Sequence, residues 1–190
     1  MIKQASSINA SLDPLDLLYE YYPRDSGLTR ILIRHSEQVR DRALEAADKV
    51  PHLKPDKAFI AQAAMLHDIG IGRTSAAKIG CRGKVPYICH GVIGRCLLEK
   101  HGLHAHALVC ERHVGVGITV AEIKARNLPL PCRDMQPVSI EEIIICYADK
   151  FFSKTNGGTV HSVAAVTAEL ARFGVDKVDR FLKWHRLFSG

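Results

Sequence analysis

Histidine and aspartate side chains occupy positions in this 190-residue chain where they would be buried. His67 and Asp68 follow a nearly uninterrupted apolar run, and Asp149 follows the string Ile-Ile-Ile-Cys-Tyr-Ala. His35 lies on an apolar stripe with Ile31 one turn before it. Burying an unpaired charge is expensive, so such groups usually pair or bind a metal ion. Imidazole and carboxylate together favour divalent transition metals, although an isolated His-Asp dipeptide is equally compatible with an ion pair at a helix end.

Helices are predicted to position these residues, because apolar residues recur at spacings of three and four and no segment has the pattern of a convincing strand. We expect Thr29 to cap a long helix that runs to Val50, and a capping box to form between Ser139 and Glu142. Gly70 would take a left-handed conformation after the helix that ends at His67. The predicted helices span residues 14–21, 29–50, 55–67, 87–101, 104–113, 119–128, 159–173 and 175–188, with another that starts at 139 and carries Asp149.

The organisation predicted is one domain over residues 1–190. Residues 1–13 would be a flexible N-terminal tail, and residues 174–190 would contain the C-terminal helix. Residues 71–86 are rich in glycine and basic residues and are predicted to be a loop.

The order of the chemical residues resembles the HD-domain superfamily of metal-dependent phosphohydrolases. The resemblance rests on a helical His35, the string Met65-Leu66-His67-Asp68-Ile69-Gly70 and a helical Asp149, and it extends over residues 29–153. It implies an all-α, compact helical HD-domain bundle. It also implies that one divalent metal is held by the set His35, His67, Asp68 and Asp149.

Two further histidines extend the resemblance to the two-metal branch with the order H…HD…H…H…D. His90 and His113 fall between Asp68 and Asp149 on separate predicted helices. In that branch they would hold a second ion, with Asp68 bridging both. His106 is the main rival because it lies two helical turns before His113. The cofactor expected is therefore one or two divalent transition metal ions, chosen from Fe, Mn, Co, Ni and Zn.

Phosphate chemistry would follow from such a site, because bound cations make a water acidic enough to attack phosphorus as hydroxide. Asp68 and Lys150 are assigned to catalysis. Oxygens of the phosphate also need donors from the protein. The basic residues of the following loop are candidates for substrate binding, although a solvated surface loop explains them equally well: Arg73, Lys78, Arg82 and Lys84.

Charge and composition favour a small anionic partner. The net charge is +6 and the pI is about 9.1, and the basic residues are scattered rather than grouped into a nucleic-acid-binding arm. We expect a phosphorylated small molecule, a nucleotide in the first instance, no nucleic acid and no membrane. A cytoplasmic location is expected, and a homo-oligomer is compatible with the sequence.

The function predicted is hydrolysis of a phosphate ester or anhydride, of the phosphomonoesterase, phosphodiesterase or nucleotide pyrophosphohydrolase type. Two alternatives remain open from the sequence. One is an HD-type di-iron oxygenase that consumes O₂, and the other is a nucleotide-binding sensor without turnover.

Overall fold

A computed structural model describes residues 12–155 and 158–190, and it confirms the predicted compact helical bundle. Residues 1–11 of the predicted tail lie outside this part of the chain. The described residues form nine α-helices: α1 (Pro14–Tyr21), α2 (Gly27–Asp48), α3 (Lys57–Leu66), α4 (His90–Lys100), α5 (His104–Arg112), α6 (Val120–Ala125), α7 (Ile140–Asp149), α8 (Val163–Ala171) and α9 (Val175–Phe188). None of these helices is long and apolar enough to span a bilayer.

The segment predicted to be a loop contains a small sheet. Strands β1 (Thr74–Ala76), β2 (Cys81–Arg82) and β3 (Val85–Pro86) lie in the order β2-β1-β3. β2 is antiparallel to β1 and β3 is parallel to it. Strands of two or three residues are too short to show an alternating pattern, so the sequence contains no signal for them. The sheet is joined to α4 by a short 3-10 helix over Tyr87–Cys89.

The caps explain where the predicted helix starts were right and where they were wrong. α1 and α9 have the predicted bounds. α2 begins earlier than predicted because its capping residue is Ser26 and not Thr29. The Ser26 hydroxyl accepts a hydrogen bond from the Thr29 N–H at 3.0 Å. α7 begins after Ser139 as predicted, but the predicted capping box is incomplete. The Glu142 carboxylate instead accepts from the Val138 N–H at 2.7 Å and pairs with an arginine of α5.

Two apolar clusters meet along α2, and the chemical residues lie between them. Leu32 belongs to the cluster that α1, α4 and α5 contribute to, and Val39 belongs to the cluster formed with α3, α7, α8 and α9. His35 lies between these two residues and is only 1% exposed. The predicted apolar stripe of α2 therefore places His35 in the interior.

The turn after α3 is held by two close contacts. Gly70 has a φ of −83°, so the predicted left-handed conformation is wrong. A Cβ at this position would lie 2.1 Å from the His90 carbonyl oxygen and 2.5 Å from the Gly94 nitrogen. On the other side, the Tyr22 hydroxyl donates to the Ile69 carbonyl at 2.7 Å and accepts from the Gly72 N–H at 2.9 Å. Gly70 is thus required by the backbone of α4 rather than by its own dihedral angles.

We expect Gly70→Ala to lower the free energy of unfolding by about 2 kcal/mol, because α4 must move away from the turn. The corresponding fall in melting temperature is roughly 4–8 °C, measured by circular dichroism. Gly27→Ala is the matched control, since nothing lies within 4 Å of a Cβ at that position. A Gly70→Ala protein that melts like Gly27→Ala would contradict the close approach.

Candidate metal centre

The first candidate group joins three helices. His35 projects from α2, His67 and Asp68 follow the last residue of α3, and Asp149 is the last residue of α7. His35 Nε2 lies 3.0 Å from Asp149 Oδ1 and 3.2 Å from Asp68 Oδ2, and His67 Nε2 lies 3.2 Å from that same Oδ2. One donor atom from each of the four residues lies within 4.8 Å of the others. The fold therefore brings the four predicted ligands of the first metal to one point.

The second candidate group shares Asp68 with the first. His90 Nε2 lies 3.4 Å and His113 Nε2 lies 3.6 Å from Asp68 Oδ1, while the two imidazole nitrogens are 3.1 Å apart. One carboxylate oxygen thus faces each group. This is the arrangement expected of a carboxylate that bridges two ions, which is the role that the family resemblance implies for Asp68. All six residues are at most 8% exposed.

Three of the histidines are oriented by carbonyl groups at helix ends. Each histidine donates its Nδ1–H to the carbonyl oxygen of the residue three positions before it. These bonds run from His67 to Ala64 at 2.6 Å, from His90 to Tyr87 at 2.7 Å, and from His113 to Cys110 at 2.8 Å. With the proton on Nδ1, the lone pair of Nε2 is directed into the cluster. Second-shell hydrogen bonds of this kind fix the tautomer of metal-binding histidines.

Close packing of α4 on α5 brings the histidines of the second group together. A Cβ on Gly91 would lie 2.5 Å from the Cys110 carbonyl oxygen. Only glycine permits this approach, and it places His90, the residue before Gly91, opposite His113, which directly follows α5.

The donor set fits a divalent cation. Among the described residues, the buried atoms His67 Nε2 and Asp68 Oδ1 have no hydrogen-bond partner of normal geometry. Leaving buried polar atoms unpaired is costly, so such atoms usually have a partner that completes them. The C-terminal ends of α3, α5 and α7 also meet at the cluster, and helix C-termini carry partial negative charge that favours a cation.

The pKa values of the cluster show the same preference for positive charge. Burial works to lower the pKa of His67, but the Asp68 and Asp149 carboxylates outweigh it and raise the pKa to about 9. Burial lowers the pKa of His90 to about 3 and lowers that of His113 as well, so both are neutral imidazoles suited to a metal. The first group is therefore more strongly negative than the second.

Two lysines compensate the carboxylates, and the sequence indicated only one of them. Lys150, which the sequence assigned to catalysis, has its Nζ 2.8 Å from Asp149 Oδ2. Lys154 Nζ lies 2.6 Å from Asp68 Oδ2, and its side chain is 13% exposed. Although burial works against a charged Lys154, Asp68 and the Tyr87 hydroxyl next to it raise its pKa above the usual value. Lys154 follows α7 in a loop without periodic pattern, so only its distance of five residues from Asp149 could have indicated it.

A cavity of about 670 Å³ opens onto the cluster and is lined by His90, His113 and Asp149 as well as both lysines. Of the four basic loop residues assigned to substrate binding, Lys78 lines this cavity. Arg73 lines a separate, smaller cavity beside Tyr22. Arg82 and Lys84 are exposed and are not among the lining residues of either cavity.

His106 does not join the second group. It is buried, and its ring packs edge-on against Phe59 with 4.8 Å between centroids. His106 lies two helical turns before His113, but it belongs to neither of the two candidate groups among the described residues.

A helical bundle with two linked His/Asp groups defines a metal-binding helical domain. The HD domain family matches residues 32–153, and the chain belongs to this family. The fold is shared with the HD domain of the L. monocytogenes phosphodiesterase PgpH. In complex with cyclic-di-AMP that domain superposes with a TM-score of 0.53 at 14% identity, over 95% of this chain and 97% of that one. A second structure of that domain, described without the ligand, superposes with a TM-score of 0.52 at 13% identity. The superposition covers 93% of this chain and 95% of that one.

Three proteins are related to this chain in sequence. A tRNA (cytidine(56)-2'-O)-methyltransferase of Thermoplasma volcanium is 31% identical over 92% of this chain, and its counterpart in Picrophilus torridus is 36% identical over 65%. The chain spans only 45% and 32% of the lengths of these two proteins. An uncharacterised protein of Methanocaldococcus jannaschii is 32% identical over 65% of this chain and 68% of its own length.

Proposed function

We propose that the protein is a metal-dependent phosphohydrolase that acts on a nucleotide, with His35, His67, Asp68, Asp149, His90 and His113 as metal ligands. The observation that carries this proposal is the buried double cluster sharing Asp68, open to a cavity that contains Lys150 and Lys154. Its volume lies within the range of about 300–1,000 Å³ that ligand pockets usually have.

Charge balance favours a phosphate. Lys150 and Lys154 already pair with the two carboxylates, at 2.8 Å and 2.6 Å. Each divalent ion would therefore add positive charge that the protein does not compensate. A phosphate group with its negative oxygens would supply the missing charge, whereas a neutral substrate would not.

The residues of the chain then have distinct roles. Bound divalent ions would supply an acidified water and neutralise phosphate oxygens. Asp68 holds both groups in register through its two oxygens. The ammonium groups of Lys150 and Lys154 are placed to donate to the non-bridging oxygens, where negative charge develops during transfer. The Tyr87 hydroxyl lies beside Lys154 and lines the same cavity, so it orients that ammonium.

The methyltransferase relatives do not oppose this proposal. Their activity is stated of chains of which this one matches less than half. The matched segment contains the HD domain with its His/Asp cluster. We therefore assign hydrolysis to this segment and not methyl transfer. A nucleotide substrate is compatible with the cyclic dinucleotide bound by the PgpH domain, although that likeness alone concerns the fold.

The test is a screen of purified, metal-stripped protein, supplied in turn with Mn²⁺, Co²⁺, Ni²⁺, Fe²⁺ and Zn²⁺. Release of phosphate or nucleoside monophosphate is followed for nucleoside monophosphates, dinucleoside polyphosphates and cyclic dinucleotides. We expect metal-dependent hydrolysis that proceeds equally under argon. Turnover that requires O₂ would contradict the proposed hydrolase function and favour an oxygenase. Nucleotide binding without turnover would indicate a sensor.

We expect Lys154→Gln to lower kcat/KM roughly 100-fold, because it removes a donor to the developing charge. Lys84→Gln removes the same charge from an exposed site and should leave kcat/KM unchanged. The two variants compare the cavity lysine with the loop assignment made from the sequence. An equal loss of kcat/KM in both variants would support the assignment of the loop residue Lys84 to substrate binding. An unchanged kcat/KM in Lys154→Gln would exclude Lys154 as a donor to the phosphate.

A further inference from the structure

The cavity that opens onto the cluster also has a predominantly apolar part, lined by residues from the end of α6 and from α8. We propose that this part, defined by Arg126, Leu128, Leu170 and Phe173 and here called the base subsite, binds the heterocyclic base of a purine nucleoside. The proposal deepens the proposed function by naming the part of the substrate that lies away from the phosphate.

A large aromatic ring is exposed at this subsite. Phe173 is 50% exposed, although it follows a helix whose Val166 and Leu170 are well buried. Packing of the core does not account for it. The Arg126 guanidinium carbon lies 5.3 Å from the centroid of the Phe173 ring, and both residues line the cavity. The guanidinium thus lies over the aromatic ring, and both groups are of the kind on which nucleobases stack.

A fixed turn holds Arg126 and Leu128 in place. Asn127 has a φ of 46°, in the left-handed region that asparagine tolerates better than most residues. The Leu128 N–H donates to the Ile123 carbonyl at 3.0 Å, and the Asn127 N–H donates to the Lys124 carbonyl at 3.3 Å. This pair of bonds is a Schellman motif that ends α6 in a defined geometry. The subsite is therefore built in advance and does not depend on ordering a loop.

The base subsite is linked to the cluster by a braced segment. Residues 114–118 lead from His113 to α6 and line the cavity along the way. Lys177 of α9 is buried and donates to the Gly117 carbonyl at 2.7 Å and to the Glu122 carboxylate at 2.7 Å. This brace fixes α6 relative to His113. Because the subsite and the cluster line one cavity, a ligand with a base at one end and a phosphate at the other could contact both.

A purine is favoured over a pyrimidine on chemical grounds. Its two fused rings cover more of the stacked surface, and Leu128 and Leu170 provide apolar contacts at its edge. Glu169 also lines the cavity and is exposed, so its carboxylate can accept from an amino group of the base or a ribose hydroxyl. Adenosine offers both kinds of donor.

The test uses two ligands that cannot be hydrolysed, measured by isothermal titration calorimetry on the full chain. Adenosine reports on the base subsite, and inorganic phosphate with Mn²⁺ reports on the cluster. We expect Phe173→Ala and Arg126→Ala each to weaken adenosine binding about tenfold or more, the size associated with loss of one stacking contact. Phosphate binding should be unchanged. Phe173→Tyr, which keeps the ring, should keep adenosine affinity, and cytidine should bind more weakly than adenosine.

Val138→Ala is the control for loss of an exposed apolar side chain, since Val138 is 73% exposed and is not a lining residue. Failure of wild-type protein to bind adenosine, or equal affinity in wild type and Phe173→Ala, would overturn the base subsite. Adenosine binding that depends on Phe173, without phosphate binding in the presence of Mn²⁺, would retain the subsite and remove the phosphohydrolase proposal. Phosphate binding in the presence of Mn²⁺, without adenosine binding that depends on Phe173, would support the proposed phosphohydrolase and contradict the base subsite.

Discussion

Asp68→Asn is expected to remove most bound metal and to reduce hydrolysis by roughly 10³-fold or more, the largest effect of any single substitution in this chain. Its two carboxylate oxygens face different groups, with Oδ2 3.2 Å from His35 and Oδ1 3.4 Å from His90. An amide offers one weak oxygen donor in place of two charged ones. Metal content by elemental analysis and phosphate release measure the two losses.

The matched control is Asp41→Asn, because Asp41 is an exposed aspartate paired only with its neighbour Arg40 in the described contacts. Removing the Asp68 charge also leaves Lys154 buried without its partner, so circular dichroism must show that the variant is folded. If it is not, His35→Gln tests the same group without creating an unpaired charge. Equal metal content in Asp68→Asn and wild type would exclude Asp68 as a ligand.

His90→Ala and His113→Ala are each expected to lose about one metal equivalent and most activity, since two ions together stabilise the attacking and leaving oxygens. Each residue supplies an Nε2 to the second group, and neither contributes to the first. The expected result is therefore a protein that retains one ion on His35, His67, Asp68 and Asp149.

His106→Ala provides a control of the same residue type, since His106 is also buried and lies on the same helix that His113 ends. It should retain both ions, although loss of its contact with Phe59 would lower stability slightly. Anomalous diffraction from a crystal grown with Mn²⁺ gives the count directly. A single peak with His90 and His113 directed away from it would leave a one-metal enzyme.

The structure brings together the six residues that the sequence named as candidate ligands, and their burial was predictable because it depends on local patterns. His35 repeats with the apolar stripe of α2, and His67 and Asp149 end apolar helices. A residue in such a position is buried wherever the helix packs. These features, together with the resemblance to the HD family, were sufficient to name both candidate groups before any geometry was known.

The residues expected to contact phosphate were harder to predict. Lys154 lies in a loop after α7, where no periodicity indicates burial, and only the packing of that loop against Tyr87 and Asp68 brings its ammonium to the site. Conversely, Arg82 and Lys84 were assigned because they follow the motif in sequence. The small sheet turns them outward, and strands of two residues give no pattern from which this could be foreseen.

The carbonyls that orient His67, His90 and His113 have a further consequence for how this chain can change. Each lies three residues before its histidine, within one helical turn: the last turn of α3 for His67, the 3-10 turn before α4 for His90, and the last turn of α5 for His113. Inserting or deleting one residue within that turn would rotate the imidazole by about 100° around the helix axis. Length variation among homologous chains should therefore be absent from these three turns and should concentrate in the connections between them. The spacing between a histidine and its carbonyl is thus as fixed a property of the site as the histidine itself.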